Sequence, residues 1–203
     1  MQSTVEATFR AKRRRRTAAD ARAEALAAAR ALLIEGGPAA VTLKAVGARV
    51  GVTHANLIHH FGSAAELHSA LMGQMIGELT DAIDDIVARL RSDEGAPRAL
   101  VDEVFDVFAA GGAGPLAAWI VLAGELESLA PVQVAVRNLV EAIHEKFALP
   151  GEDAHRRVTA AVLFIALTAF GDAVIGAPLK RMMDRSDDAT RKLVAMMLPT
   201  FLA

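Results

Sequence analysis

Residues 42–61 read Thr-Leu-Lys-Ala-Val-Gly-Ala-Arg-Val-Gly-Val-Thr-His-Ala-Asn-Leu-Ile-His-His-Phe, and this stretch decides how the N-terminal part of the chain folds. Thr42 and Thr53 each precede a short run with helical apolar spacing, at positions where a threonine hydroxyl caps a helix. Gly51 lies between the two runs, where a glycine in the left-handed conformation ends a helix. The pattern predicts two short helices joined by a tight turn.

The second short helix carries hydrogen-bonding side chains on the face opposite its apolar positions. These residues are Thr53, His54, Asn56 and His59, with His60 near the helix end. A helix-turn-helix motif presents such a face to base edges in the major groove of DNA. A helical corner with solvated histidines has the same spacing, so the motif alone leaves both interpretations open.

The distribution of charge favours DNA as the partner. Residues 1–60 carry 10 Lys or Arg and 4 Asp or Glu, a net charge of +6, whereas residues 61–203 carry 12 and 20, a net charge of −8. Six cations fall within residues 10–16. A basic N-terminal segment next to a helix-turn-helix indicates an anionic partner at this end of the chain.

The same stretch resembles the tetracycline-repressor (TetR) family of bacterial transcriptional regulators. The resemblance rests on Val41-Thr42-Leu43, Val46-Gly47, Val50-Gly51-Val52-Thr53, Leu57, His60-Phe61, Ser63 and Glu66-Leu67, and extends over about residues 17–72. It implies that cap hydroxyls and backbone amides contact phosphate and that the second helix reads bases. The DNA-binding residues expected are Arg13, Arg14, Arg15, Arg16, Thr42, Lys44, Thr53, His54, Asn56, His59 and His60. For His60, packing at the helix junction is the alternative.

Three positions depart from the family pattern, and one of them, Thr53 where the family usually has serine, is a mild change. Ile58 stands where the family usually has tyrosine, and Ala64 stands where it usually has lysine; both family residues commonly touch phosphate. The loss of these anchors puts the contacts at both positions in doubt, and the basic arm offers replacement cations.

Helical periodicity continues through the remainder of the chain. A first helix is predicted from about Thr17 to the stop signal Gly36-Gly37-Pro38, ahead of the two short helices. A long helix follows from Ser63 to about Arg91, with further helices over residues 97–110, 115–129, 131–148, 153–175 and 187–202. We therefore expect an all-α fold of about nine helices. The predicted divisions are a basic arm (residues 1–16), a DNA-binding domain (17–62) and a helical ligand-binding and dimerisation domain (63–203).

The resemblance implies that the C-terminal domain forms a homodimer and binds a small hydrophobic or amphipathic effector. The helix over residues 153–175 is apolar around most of its circumference, so we expect Ile165 and Ala169 to lie in the dimer interface. A core helix of a monomer is the alternative. The expected effector-binding residues are Phe105, Phe108, Trp119, Leu122, Glu125, His144 and Phe164, although aromatic residues at helical spacing also suit an ordinary core.

Several functions are not supported by the sequence. The chain has no cysteine, which excludes disulfides and thiolate metal sites, and no recognisable catalytic motif, so we expect no enzyme, cofactor or metal. Glu141, His144 and Glu145 share a helix, but a solvated face explains them without a metal. Glycines and Pro115 interrupt the uncharged stretch 107–124, and residues 158–171 are too few to span a membrane.

The sequence therefore predicts a cytoplasmic, ligand-responsive regulator of transcription with no membrane partner. We expect a repressor that binds a palindromic double-stranded DNA operator as a homodimer. The alternative is an architectural or nucleoid-type DNA-binding protein of the same fold without a small-molecule effector.

Overall fold

The chain forms nine helices in the residues that the structure, a computed structural model, describes: 17–90, 92–147 and 153–202. The helices are α1 (Ala18–Gly36), α2 (Leu43–Val50), α3 (His54–Phe61), α4 (Ala64–Arg89), α5 (Ala96–Phe108), α6 (Ala113–Leu122), α7 (Ala130–Phe147), α8 (Ala154–Met182) and α9 (Ala189–Leu202). Short 3₁₀ turns occupy Pro38–Ala40 and Glu125–Ser128. The described part of the chain contains no strand, which confirms the all-α prediction.

Side-chain caps set the boundaries of α2, α3 and α4. The hydroxyl of Thr42 accepts the N–H of Ala45 at 3.1 Å, and Thr53 Oγ1 accepts the N–H of Asn56 at 3.3 Å. Ser63 caps α4 in the same way. Each cap satisfies a backbone donor that has no partner within its helix, so the chain starts a helix at these residues.

Two apolar cores lie along the chain, and α4 contributes to both. The first unites α1, α2 and α3 with the first half of α4 and with α6. The second unites the far half of α4 with α5, α7, α8 and α9. Because one continuous helix joins the two cores, a shift in the C-terminal helices can reach the helix-turn-helix through α4. The predicted domain boundary after residue 62 stays a prediction.

Two helix ends differ from the sequence-based prediction. The helix expected over residues 115–129 is α6, and it ends at Leu122 because Gly124 adopts the left-handed conformation, with φ of 73°. The helix expected over residues 153–175 is α8, and it continues through a π-helical turn at Asp172–Gly176 as far as Met182. Gly176 and Pro178 are residue types that often end a helix, but the helix continues because the π-helical turn places Pro178 in the first turn of the segment Ala177–Met182.

The uncharged residues 158–171, which are too few to span a membrane, lie within the longer helix α8. At 29 residues, α8 is long and apolar enough to do so by length and composition, and α5 and α6 pass the same test only as a pair bent by 54°. One face of α8 nevertheless packs in the second core. The other face is exposed in the single chain, which makes it a candidate interface.

Candidate nucleic-acid interface and effector cavity

The helix-turn-helix is held together by a small apolar contact between α2 and α3. Val46, Leu57 and Phe61 are buried there. Gly47 permits the close approach, because a Cβ at this position would lie 2.9 Å from the carbonyl oxygen of Val52. Gly51 ends α2 with φ of 72°, in the left-handed region that glycine adopts without strain. This packing fixes the direction in which α3 presents its outer face.

The outer face of α3 presents the polar residues expected from the sequence. Thr53, His54, Asn56 and His59 are exposed, and Thr42 and Lys44 are exposed at the start of α2. As contacts to DNA these residues stay predictions. Arg13, Arg14, Arg15 and Arg16 lie outside the described residues.

His60 and the two atypical positions lie at the edges of this face. His60 is half-buried, and its carbonyl oxygen accepts a 2.7 Å hydrogen bond from Arg22 Nη1. The guanidinium of Arg22 also lies 4.4 Å from the centre of the Phe61 ring. Arg22 therefore fastens the end of α3 to α1, a role that the sequence analysis missed. Ile58 is 44% exposed and Ala64 is half-buried.

No acidic residue occurs between residues 36 and 65, so the face of α2 and α3 carries no negative side chain of its own. Glu35, which precedes this segment, accepts two hydrogen bonds from Arg49, at 2.6 and 2.7 Å. These hydrogen bonds lower the pKa of Glu35, which remains an anion at neutral pH. The exposed cations of α2 are Lys44 and Arg49, and Arg49 is paired with Glu35.

A buried histidine connects the helix-turn-helix to the turn that follows α6. His68, on α4, is 3% exposed. Its Nε2 lies 2.8 Å from the carbonyl oxygen of Val41, and its Nδ1 lies 2.9 Å from Glu125 Oε2. Trp119 packs edge-on against the same ring, with centroids 6.4 Å apart. Sequence reasoning missed His68 because both partners come from distant parts of the chain.

An apolar cavity of about 250 Å³ lies beside this histidine, between α4, α5, α6, α7 and the Glu125–Ser128 turn. Its lining consists of Met72, Met75, Ile76, Leu79, Val107, Phe108, Ala113, Ala117, Ile120, Val121, Leu126, Leu129 and Val132. Every one of these side chains is apolar. The cavity therefore suits an uncharged hydrophobic molecule or the hydrocarbon part of an amphipathic one.

The seven expected effector-binding residues do not share this cavity. Of them, only Phe108 lines it. Phe105 is fully buried in the second core, and Phe164 stacks on Phe201 with centroids 4.9 Å apart. Their aromatic rings fill space between helices, as core residues do.

The other four expected residues do not form one site in the structure. Leu122 is 87% exposed on the last turn of α6, and Glu125 bonds His68. Trp119 packs against the same histidine, while the ring of His144 lies against His155. These four residues do not line the apolar cavity, and their part in effector binding stays a prediction. Among the described residues no group of three His, Asp or Glu could hold a metal ion.

The exposed face of α8 and α9 forms an apolar surface, which we call the α8/α9 face. It comprises Leu163, Leu167, Val174, Ile175, Leu193, Met196 and Met197. Ile165 and Ala169, the residues expected at the dimer interface, point inward and are 5% and 1% exposed. That expectation is wrong, because these two residues pack in the core of the single chain.

A buried ion pair holds the end of α8 against the start of α9. Lys180 Nζ donates to Asp172 Oδ1 at 2.9 Å and to the carbonyl oxygen of Asp187 at 2.8 Å. Thr190 Oγ1 also donates to Asp172, at 2.7 Å. These bonds fix the two helices relative to each other, so the α8/α9 face is a preformed surface.

The comparisons with known proteins agree with this geometry. Residues 25–71 match the sequence family of bacterial regulatory proteins described as the tetR family. Among curated proteins, none matches this sequence. The match covers the whole of α2 and α3 and the first part of α4.

Solved structures resemble the chain over nearly its whole length. A TetR-family transcriptional regulator from Pectobacterium atrosepticum has 19% identity and a TM-score of 0.67, covering 91% of this chain and 93% of its own. One from Streptomyces coelicolor has 18% identity and a TM-score of 0.61, covering 92% and 97%. The fatty acid degradation regulator FadR from Bacillus halodurans has 16% identity and a TM-score of 0.56, covering 87% and 93%. At these identities the likeness establishes the fold.

Proposed function

We propose that this chain is a transcriptional regulator of the tetR family, whose sequence model matches its residues 25–71, and that it represses transcription by binding a palindromic operator as a homodimer. Its fold, which resembles that of solved TetR-family regulators, supports this proposal. A small hydrophobic effector releases the protein from the DNA. The DNA-binding part of this proposal rests on the exposed outer face of α3. This face, opposite the buried contact with α2, carries Thr53, His54, Asn56 and His59. We propose a cytoplasmic protein without enzymatic activity, in keeping with this family.

Base reading on α3 follows from the chemistry of its exposed side chains. The amide of Asn56 can pair with adenine through one donor and one acceptor, and histidines bond to purine N7 or O6. Thr42 and Thr53 stand at helix N-termini, where backbone N–H groups attract phosphate. Dimer symmetry then places two copies of α3 in successive major grooves, about 34–36 Å apart.

The size and lining of the cavity support the effector proposal. At about 30 Å³ for a water-sized group, the 250 Å³ cavity holds about eight such groups, which suits a medium-length hydrocarbon chain. The apolar lining discriminates against charged molecules, because burying an unpaired charge is costly. A regulator of fatty acid degradation among the proteins of similar fold is consistent with a hydrocarbon effector.

The α8/α9 face supports the dimer. Exposed apolar surface of this extent on a soluble protein marks an interaction site, and a two-fold axis allows one face to cover its own copy. Burial against a second copy also accounts for the apolar circumference of α8 without a membrane.

Selection of operators from random duplex DNA by the full chain tests the proposal. Asn56→Ala is expected to cost about 1–3 kcal/mol on the selected site while leaving non-specific binding unchanged. Asn138→Ala is the matched control, since Asn138 is an exposed asparagine on α7. Enrichment of no preferred sequence would favour an architectural protein, and an Asn56→Ala variant with wild-type affinity would show that α3 does not read the bases.

A further inference from the structure

Resting on the proposed function, we infer that His68 is the positioning residue through which the apolar cavity controls the helix-turn-helix. Among the described residues, His68 is the one side chain that hydrogen-bonds both to the segment before α2 and to the turn that forms part of the cavity wall. We call the Val41–His68–Glu125 contact the histidine bridge.

On the DNA side, the histidine bridge holds the start of α2. Val41 is buried, and it directly precedes Thr42, the residue that caps α2. The N–H of Val41 donates to the carbonyl oxygen of Pro38, and its own carbonyl oxygen accepts from His68. If His68 moved away, this buried carbonyl would lose its bond, so the position of the segment that leads into α2 depends in part on the bridge.

On the cavity side, the histidine bridge ends in the wall itself. Glu125 opens the 3₁₀ turn that follows the left-handed Gly124. Leu126, the next residue, and Leu129, just past the turn, both line the cavity. A ligand that needs more room than the cavity offers displaces this turn, and Glu125 moves with it. Displacement of the cavity wall is thereby converted into loss of a hydrogen bond at His68.

The protonation of the histidine bridge follows from its partners. The Val41 carbonyl is only an acceptor, so Nε2 carries a hydrogen. Nδ1 faces a carboxylate oxygen, and one further proton lies between these two atoms, either on the ring or on Glu125. The carboxyl group of Glu125 therefore shares a proton with Nδ1 of His68. A glutamine at position 125 can replace this contact, because its amide N–H can donate to Nδ1 of a neutral ring.

This replacement gives a test with a conservative rescue. Decanol serves as the cavity probe, and operator affinity is measured with and without it. We expect decanol to weaken operator binding of the wild type by about tenfold, within the usual range of allosteric coupling. In Glu125→Ala the weakening is expected to fall below about twofold while decanol still binds; Glu125→Gln is expected to restore it.

Two controls separate coupling from a merely structural role. Glu127→Ala removes an exposed carboxylate of the same turn and is expected to keep the full response. Trp119 is the only tryptophan of the chain and contacts His68, so its fluorescence reports probe binding independently of DNA. The Nε2–H proton of His68, observed by NMR in the DNA-free protein, is expected to shift on decanol binding.

The outcomes are distinct. An unchanged decanol response in Glu125→Ala, or decanol binding that leaves the His68 signals in place, overturns the inference. If the cavity binds no straight-chain alcohol from hexanol to dodecanol, the inference is overturned as well, because it requires a ligand in the cavity. If the chain selects no operator, the proposed function fails, whereas the NMR signals of the histidine bridge still report whether the cavity moves His68.

Discussion

Substitution of Leu167 by aspartate tests whether the α8/α9 face holds two copies together. Leu167 is 60% exposed in the single chain, so a carboxylate at this position remains hydrated in a monomer and leaves its fold intact. In a two-fold dimer the same substitution appears twice in one interface. Each unpaired buried charge costs about 3–5 kcal/mol.

The two carboxylates together cost about 6 kcal/mol at the lower bound, which corresponds to an increase of about 10⁴-fold in the dissociation constant of the dimer. Sedimentation equilibrium measures this constant directly, and circular dichroism checks that the helices persist. We expect folded monomers whose operator affinity is greatly reduced, because one copy of α3 cannot span a palindrome.

Two neighbouring substitutions make the result specific. Ile165→Asp, two residues away, places the charge in the core of the single chain and is expected to unfold the protein instead. Ile34→Asp alters an exposed residue on α1, away from α8 and α9, and is expected to leave the dimer unchanged. A Leu167→Asp protein that remains dimeric at micromolar concentration would refute the assignment of this face.

Three further predictions concern the DNA-binding surface and the stability of the chain. If the exposed Ile58 contacts a thymine methyl, replacing that thymine by uracil in the selected operator costs the wild type about 0.8 kcal/mol of binding free energy and costs Ile58→Ala nothing. Equal losses of binding free energy in titrations of both proteins would contradict the contact. Deleting residues 2–16 removes both arms of a dimer and is expected to lower the slope of log affinity against log salt by about 4–7, at about 0.9 for each phosphate with roughly two to four phosphates for each of the two arms; an unchanged slope would show that the arms do not contact DNA. Ser69→Ala removes a buried hydroxyl that has no hydrogen-bond partner in the described residues, and urea titration is expected to show a gain of about 1 kcal/mol in the free energy of unfolding; a loss of stability would mean that the hydroxyl is bonded.

The helix-turn-helix was predictable from the sequence because its determinants are local. The caps at Thr42 and Thr53 act on backbone N–H groups three residues away, and Gly51 acts on the helix that it follows. Each signal is complete within one turn of chain, so residue type and spacing suffice to detect it. The exposed face of α3 then follows from the positions of Leu57 and Phe61, which must face inward.

The histidine bridge was not predictable, because its members are separated in sequence. His68 and Glu125 lie 57 residues apart, and His68 and Val41 lie 27 apart. On its own helix, the residues one turn away from His68 are apolar, and none of them indicates a hydrogen-bond partner: Ala64, Ala65, Leu71 and Met72. Only the packing of α6 against α4 brings the carboxylate to the ring.

The dimer face illustrates a different limit. Amphipathic spacing identifies the buried side of a helix only when the opposite side is polar. On α8 both sides are apolar, so Ile165 and Leu167 carry the same signal although one is buried in the core and the other is exposed. The choice between them depends on where α5 and α9 dock, which is a property of the whole fold.

The effector cavity differs from a core only in the space between its residues. Met72, Phe108 and Ile120 would be equally suitable in a filled interior, and no sequence pattern records that they leave about 250 Å³ open. The aromatic residues expected to form the pocket, Phe105 and Phe164, fill the interior instead. An open volume of this kind deprives its lining of contacts and costs stability unless something occupies it. A ligand that fills the cavity recovers those contacts, and the binding free energy gained there is what can be spent on displacing the Glu125 turn.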